Sequence, residues 1–277
     1  MMPSARLIML FMGLLILPGD VKAMPRPSEK AQQAYARANA LFVEKKFEES
    51  LAALNQALAE NPEFVPALTL RAKLAMAMDR LEPAGRDLKR AVELEPGSAY
   101  NQFMLGFYYY LENDFKRALE PLERARTLDP SGSRTHFYLA LTHEGLANAD
   151  LAIQMYERAL SLAGSSGKAD TDILIAYARL LFTLGQYSKS MTLVDQALVI
   201  EPDSRDAHYE RGRLQFQAGK FDQAIQEGEK ALQLTSVGTT DRQIHFLLAR
   251  AYARTGNRER AAAHLAKFQA SAATLRR

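Results

Sequence analysis

The 277-residue chain contains no cysteine and no tryptophan. Without cysteine there is no disulfide, no thiolate metal site, no cysteine nucleophile and no lipid-modified cysteine to tether a bacterial lipoprotein. Without tryptophan, the large aromatic surface must come from 11 Tyr and 13 Phe. A strong excess of one charge is missing too. The formal net charge is +3, and it falls to +2 once Arg6, Asp20 and Lys22 of residues 1–23 are set aside. Basic residues cluster only as pairs such as Lys45-Lys46 and Arg276-Arg277, so no nucleic-acid partner is expected.

Catalytic signatures are equally scarce. No GxSxG or HExxH occurs. The segment GSSGK at 164–168 has two residues between its glycines, and Ala169 follows its lysine. A phosphate loop needs four residues there, a Ser or Thr after the lysine, and a preceding strand, so the segment reads as a connector. His136 and His143 share one helical face beside Glu144, without a close carboxylate set to complete a metal site. No enzymatic activity, metal or cofactor is expected.

What is present begins with a leader. Arg6 precedes the apolar run Leu7–Leu17, Pro18-Gly19 breaks it, and Val21-Lys22-Ala23 offers small residues at a cleavage site before Met24. Eleven residues of helix span about 16 Å, roughly half the hydrocarbon thickness, so residues 1–23 read as a signal peptide and not as a stable membrane anchor. Uncleaved retention, or a start at Met24, is the alternative. The expected location is outside the cytoplasm, periplasmic or extracellular.

After a lead-in at 24–30, the sequence repeats. Pro62, Pro96 and Pro130 stand 34 residues apart, Gly164 takes the next place, and Pro202 follows after four extra residues. Each suits the turn just past a helix. Small residues form columns: Ala38, Ala72, Gly106, Ala140, Ala178, Gly212 and Ala249 in one; Ser50, Ala84, Ala118, Ala152, Ser190, Ala224 and Ala261 in a second. A third runs Ala57, Ala91, Ala125, Ala159, Ala197 and Ala231, and the apolar column Phe47, Leu81, Phe115, Tyr187 and Phe221 opens each second helix. Small side chains at these steps let paired helices approach closely.

The spacing of small residues at positions 8 and 20, an aromatic at 17, Ala at 27 and Pro at 32 resembles the tetratricopeptide repeat. Seven units follow: 31–64, 65–98, 99–132, 133–166, 171–204, 205–238 and 242–275. Single units depart from the pattern, with Ala149 and Arg258 for the aromatic, Gly228 for a large apolar residue and Phe268 for a small one. The resemblance implies an all-α, right-handed superhelical solenoid of helix-turn-helix repeats over 31–277, with the last helix as a polar cap.

It also implies a concave groove lined by positions 2, 5, 9 and 12 of each first helix. The candidate partner-binding residues on that stripe are Tyr35, Asn39, Phe42 and Lys73, then Tyr100, Phe103, Phe107, Tyr110, Arg134 and Phe137. Further along come Arg179, Phe182, Tyr209, Arg213, Phe216, Phe246 and Arg250. Units five to seven repeat arginine at position 9, forming a ladder beside aromatics, and both residue types dominate interface hot spots. Tyr35 and Leu70 occupy places where the family's carboxylate clamp needs Lys and Asn, so that mode is not expected. The implied function is a non-enzymatic scaffold that captures a protein segment, acidic and apolar in character, in envelope or secretion assembly. The alternatives are an accessory module for cell-surface polysaccharide, or self-association. A competing arrangement buries the aromatics between first helices and pairs the arginines with Asp172 and Asp206.

Overall fold

The computed structural model describes residues 27–164, 168–235 and 238–274; the leader at 1–23 and residues 165–167 of the GSSGK connector lie outside the described residues. Among the described residues the chain is fourteen α-helices and no strand, an all-α repeat solenoid. The helices come in pairs: α1 (Glu29–Val43) with α2 (Phe47–Glu60), α3 (Val65–Ala77) with α4 (Leu81–Leu94), and α5 (Ala99–Leu111) with α6 (Phe115–Leu128). Next come α7 (Ser133–Gly145) with α8 (Ala149–Leu162) and α9 (Lys168–Thr183) with α10 (Tyr187–Ile200). The last are α11 (Arg205–Gln217) with α12 (Phe221–Gln233) and α13 (Asp241–Arg254) with α14 (Arg258–Thr274).

Two compact units result, Met1–Phe64 and Val65–Arg277. In the second unit, consecutive first helices touch: α3 with α5, α5 with α7, α9 with α11 and α11 with α13. Among the described residues no consecutive pair of second helices makes a comparable contact, so the first helices form the inner face of this unit. α7 and α9, which flank the connector, also lack such a contact.

Inside each pair the small columns meet. Ala38, Ala72, Ala140 and Ala178 are buried against Ser50, Ala84, Ala152 and Ser190 of the paired helix. Ser50 Oγ donates to the Ala38 carbonyl at 2.8 Å and Ser190 Oγ to the Ala178 carbonyl at 2.7 Å, so a polar side chain is tolerated there. In the second unit the space between pairs is filled by Leu88, Leu122, Tyr156 and Val194, none of which reaches solvent. Gly228 occupies the corresponding place in α12. A Cβ there would stand 2.8 Å from Leu248 Cδ2, so Leu248 of α13 supplies the bulk that Gly228 omits.

Every first helix ends the same way. Lys45, Asp79, Asn113, Ala147, Gly185, Gly219 and Gly256 all have positive φ. The next residue's N–H returns five residues, as in Asn148 N to the His143 carbonyl at 2.8 Å, which is the Schellman geometry. Ala147, at φ 60°, has no side chain that offsets the left-handed strain. Ala147→Gly is therefore expected to stabilise the chain by about 1 kcal/mol, read as a higher urea midpoint.

Candidate inner-face binding site

The stripe read from the sequence divides into three environments. In the first unit Tyr35 is half-buried, its ring 5.3 Å from Phe64, Phe42 lies 6.0 Å from Phe47, and Asn39 is exposed. Phe42 is one of four stripe aromatics held by the aromatic opening its own second helix. The others are Tyr110 on Phe115 at 5.9 Å, Phe182 on Tyr187 at 5.3 Å and Phe216 on Phe221 at 5.3 Å. These anchors thus brace the helix pair as well as the inner face.

In the middle of the second unit the aromatics converge on a residue the stripe omitted. Tyr138 of α7 sits 5.7 Å from Phe103, 4.7 Å from Phe107, 5.4 Å from Tyr110 and 5.3 Å from Phe137. Edge-to-face contacts of this kind add to area burial. Burial pushes the Tyr138 phenol above its ordinary range. Phe103, Phe107, Tyr110 and Phe137 keep partial exposure, so the cluster is a packed ridge with one accessible side. Tyr100, at 53% exposure, and the exposed Lys73 and Arg134 flank it.

The arginine ladder is two-thirds neutralised. Arg179 Nε donates to Glu210 at 2.7 Å and its Nη2 to Asp206 at 3.0 Å. Arg213 Nη1 donates to the other Glu210 oxygen at 2.6 Å while its guanidinium lies 4.1 Å from the Phe182 ring and 5.8 Å from Tyr209. Glu210, absent from the stripe, thereby holds two of the three arginines. Thr239, in the connection between α12 and α13 where three residues are added to the 34-residue period, is buried and hydrogen-bonds Asp206; it also accepts from Arg179 at 3.4 Å. Arg250 differs. Its guanidinium stacks over Phe216 at 4.5 Å and Phe246 at 5.5 Å, its side chain is exposed, and among the described residues it has no ion-pair partner.

Phe246 also lines a pocket of about 560 Å³, with Tyr209 of α11, Arg242 of α13 and Phe268 of α14. Phe246 and Phe268 lie 5.0 Å apart and the Arg242 guanidinium covers Phe268 at 4.6 Å. The departure noted in the last unit, Phe268 in place of a small residue, therefore builds this wall.

Four of the five histidines are held by partners inside the fold, while the buried Nδ1 of His143 has none among the described residues. His136 Nδ1 donates to the Gly132 carbonyl at 3.0 Å, and His208 lies between Glu227 at 2.6 Å and the Pro202 carbonyl at 2.9 Å. Burial acts to raise the Glu227 carboxyl, but the His208 and Arg211 hydrogen bonds outweigh it and leave it below its ordinary value. His245 Nδ1 meets His264 Nδ1 at 3.0 Å across α13 and α14, with Tyr252 stacked on His264 at 5.6 Å. One ring must be neutral to accept that bond.

Burial lowers both members of this pair, and Lys267 lowers both further; Arg205 adds to this at His245, and His245 and Arg260 add to it at His264. Asp241 and Glu229 oppose them. The unfolded chain then binds more protons than the folded one as the pH falls. Their contribution is complete above about pH 6.5 and is lost as the pH drops through the lower folded values. The melting temperature is expected to fall between about pH 7 and pH 5, and His264→Gln to flatten that dependence.

The family model for the tetratricopeptide repeat matches residues 35–99, 103–169 and 175–238. The anaphase-promoting complex subunit 3 of Schizosaccharomyces pombe is 22% identical over 188 residues, covering 68% of this chain and 28% of that protein. The chain thus spans under a third of that relative. The crystal structure of the APC/C hetero-tetramer Cut9-Hcn1 superposes with a TM-score of 0.71 at 19% identity, over 82% of this chain and 44% of that one. A structure described as a functional characterization of Pseudomonas aeruginosa pilF gives 0.67 at 18% identity, over 81% and 97%. With more than half of its residues matched by that model, the chain belongs to the tetratricopeptide repeat family.

Proposed function

We propose that this protein is a non-enzymatic scaffold that binds a segment of a partner protein along the inner face of residues 65–277, outside the cytoplasm, in envelope or secretion assembly. The observation that carries the reading is the half-exposed aromatic and arginine surface on helices packed side by side. Apolar surface of this kind is a liability unless something covers it. A preformed groove also spares the ordering cost of binding, so a few anchors suffice for useful affinity. The leader at 1–23 supports export; the mature N-terminus should be Met24, and an intact Met1 on the protein recovered from the envelope fraction would oppose cleavage.

The test is affinity capture from envelope extract with the native chain and a matched Tyr100→Ala, Arg134→Ala, Arg250→Ala chain. These three side chains are exposed, so the fold should survive their loss. Proteins retained by the native chain and lost from the altered, equally helical one support the groove. Equal capture by both would move the binding surface elsewhere.

A further inference from the structure

We infer that the pocket between α11, α13 and α14 is a specificity subsite for an extended partner segment in which a large apolar side chain lies two residues from a carboxylate. The inference rests on the scaffold reading and narrows it to one ligand chemistry. The pocket, at about 560 Å³, lies in the range of small-ligand sites and exceeds the volume of any single side chain. Its walls are the rings of Tyr209, Phe246 and Phe268, and Phe246 is 43% exposed although most large apolar side chains here are covered.

The charges around its Phe246 wall have one sign to spare: Arg250 lies outside the lining, 5.5 Å from the Phe246 ring. Asp241, the acid in the lining, is engaged by Arg205, whereas Arg250 has no acid within ion-pair distance among the described residues. Arg242 Nε is buried and has no hydrogen-bond partner. A bound carboxylate would complete Arg250, whose delocalised cation is already held over Phe216 at 4.5 Å and Phe246 at 5.5 Å and can fork onto an acid.

Spacing sets the motif. Phe246 and Arg250 are four residues apart on α13, about 6 Å along its axis. In an extended segment, side chains two residues apart share a face and are separated by about 6.6 Å. An apolar residue over Phe246 and Phe268 therefore places the acid two positions on beside Arg250.

The experiment measures fluorescence anisotropy of short labelled peptides carrying Phe-x-Glu, Phe-x-Gln or Ser-x-Glu against the full chain. Phe-x-Glu is expected to bind roughly tenfold more tightly than either counterpart. Arg250→Ala should abolish the preference for Glu over Gln, Arg250→Lys should retain part of it, and Phe246→Ala should abolish the preference for Phe over Ser. Circular dichroism melts of the variants would show that the fold is kept. Equal binding of all three peptides, or a Glu preference that survives Arg250→Ala, overturns the subsite. If binding is instead lost in Tyr100→Ala and Arg134→Ala, the scaffold reading stands without it. Concentration-dependent self-association by light scattering that is removed by Phe246→Ala would assign the pocket to a second copy and overturn the partner assignment.

Discussion

Leu122→Ala is expected to lower stability by about 3–4 kcal/mol, the middle of the range for truncating a fully buried leucine. Leu122 has no solvent exposure and packs with Ala118 and Leu139 under the aromatic ridge of Phe103, Tyr110 and Tyr138. It also explains the glycine opposite. A Cβ on Gly106 would stand 2.5 Å from Leu122 Cγ and 3.1 Å from the Leu122 backbone nitrogen, so the leucine must leave its rotamer and the two helices must also part by a few tenths of an ångström. Gly106→Ala alone is expected to cost about 1–2 kcal/mol despite alanine's better helix propensity. Combined with Leu122→Ala it should cost less than the sum by about 1 kcal/mol, because the new methyl enters space the leucine has left. Urea unfolding followed by circular dichroism measures all three; the absence of tryptophan makes helicity the natural signal. Strict additivity would show that the two side chains do not share one volume.

Arg71→Ala is expected to cost about 2–3 kcal/mol. Its guanidinium grips Asp87 through two parallel bonds, Nε to Oδ2 at 2.7 Å and Nη2 to Oδ1 at 2.8 Å, joining α3 to α4. The carboxylate side chain is only 10% exposed, so losing the arginine leaves a nearly buried charge. That penalty exceeds the intrinsic worth of the pair, and partial water access to Arg71 keeps it below the fully buried case. The combined Arg71→Leu, Asp87→Leu chain should recover most of the loss. If the double change is as damaging as the single one, the bridge itself is stabilising. The same two positions carry Arg211 and Glu227 at 2.7 Å four repeats later, where His208 joins them.

The helices were legible because the chain repeats its own grammar: small residues in columns, prolines past helix ends, and Phe47, Phe115, Tyr187 and Phe221 opening second helices. The inner face was legible only as single-helix stripes. Tyr138 and Glu210 both stand at the sixth position of their units, beside the stripe, and they matter because neighbouring first helices approach each other. A single helix says nothing about that approach. Aligning the repeats does: Arg179 finds Glu210 31 residues on, and each braced aromatic finds its partner five residues on. The left-handed column from Lys45 to Gly256 carries its own signal, three glycines and an asparagine in register, hidden by the lysine, aspartate and alanine among them. Thr239 had no such signal, since a buried hydroxyl bridging Asp206 and Arg179 from an insertion follows no period.

In the proposed scaffold, partners bind on first helices and not on second ones. Photo-cross-linking residues placed singly at Lys73, Arg134 and Arg250 of first helices, and at Val199 of α10, test it in the cell that makes the protein. Val199 is 82% exposed and so is equally available to any chance encounter. One partner protein is expected to cross-link from the first-helix positions and to be absent from Val199. The same partner captured as strongly from Val199, with none from Lys73, Arg134 or Arg250, would contradict it.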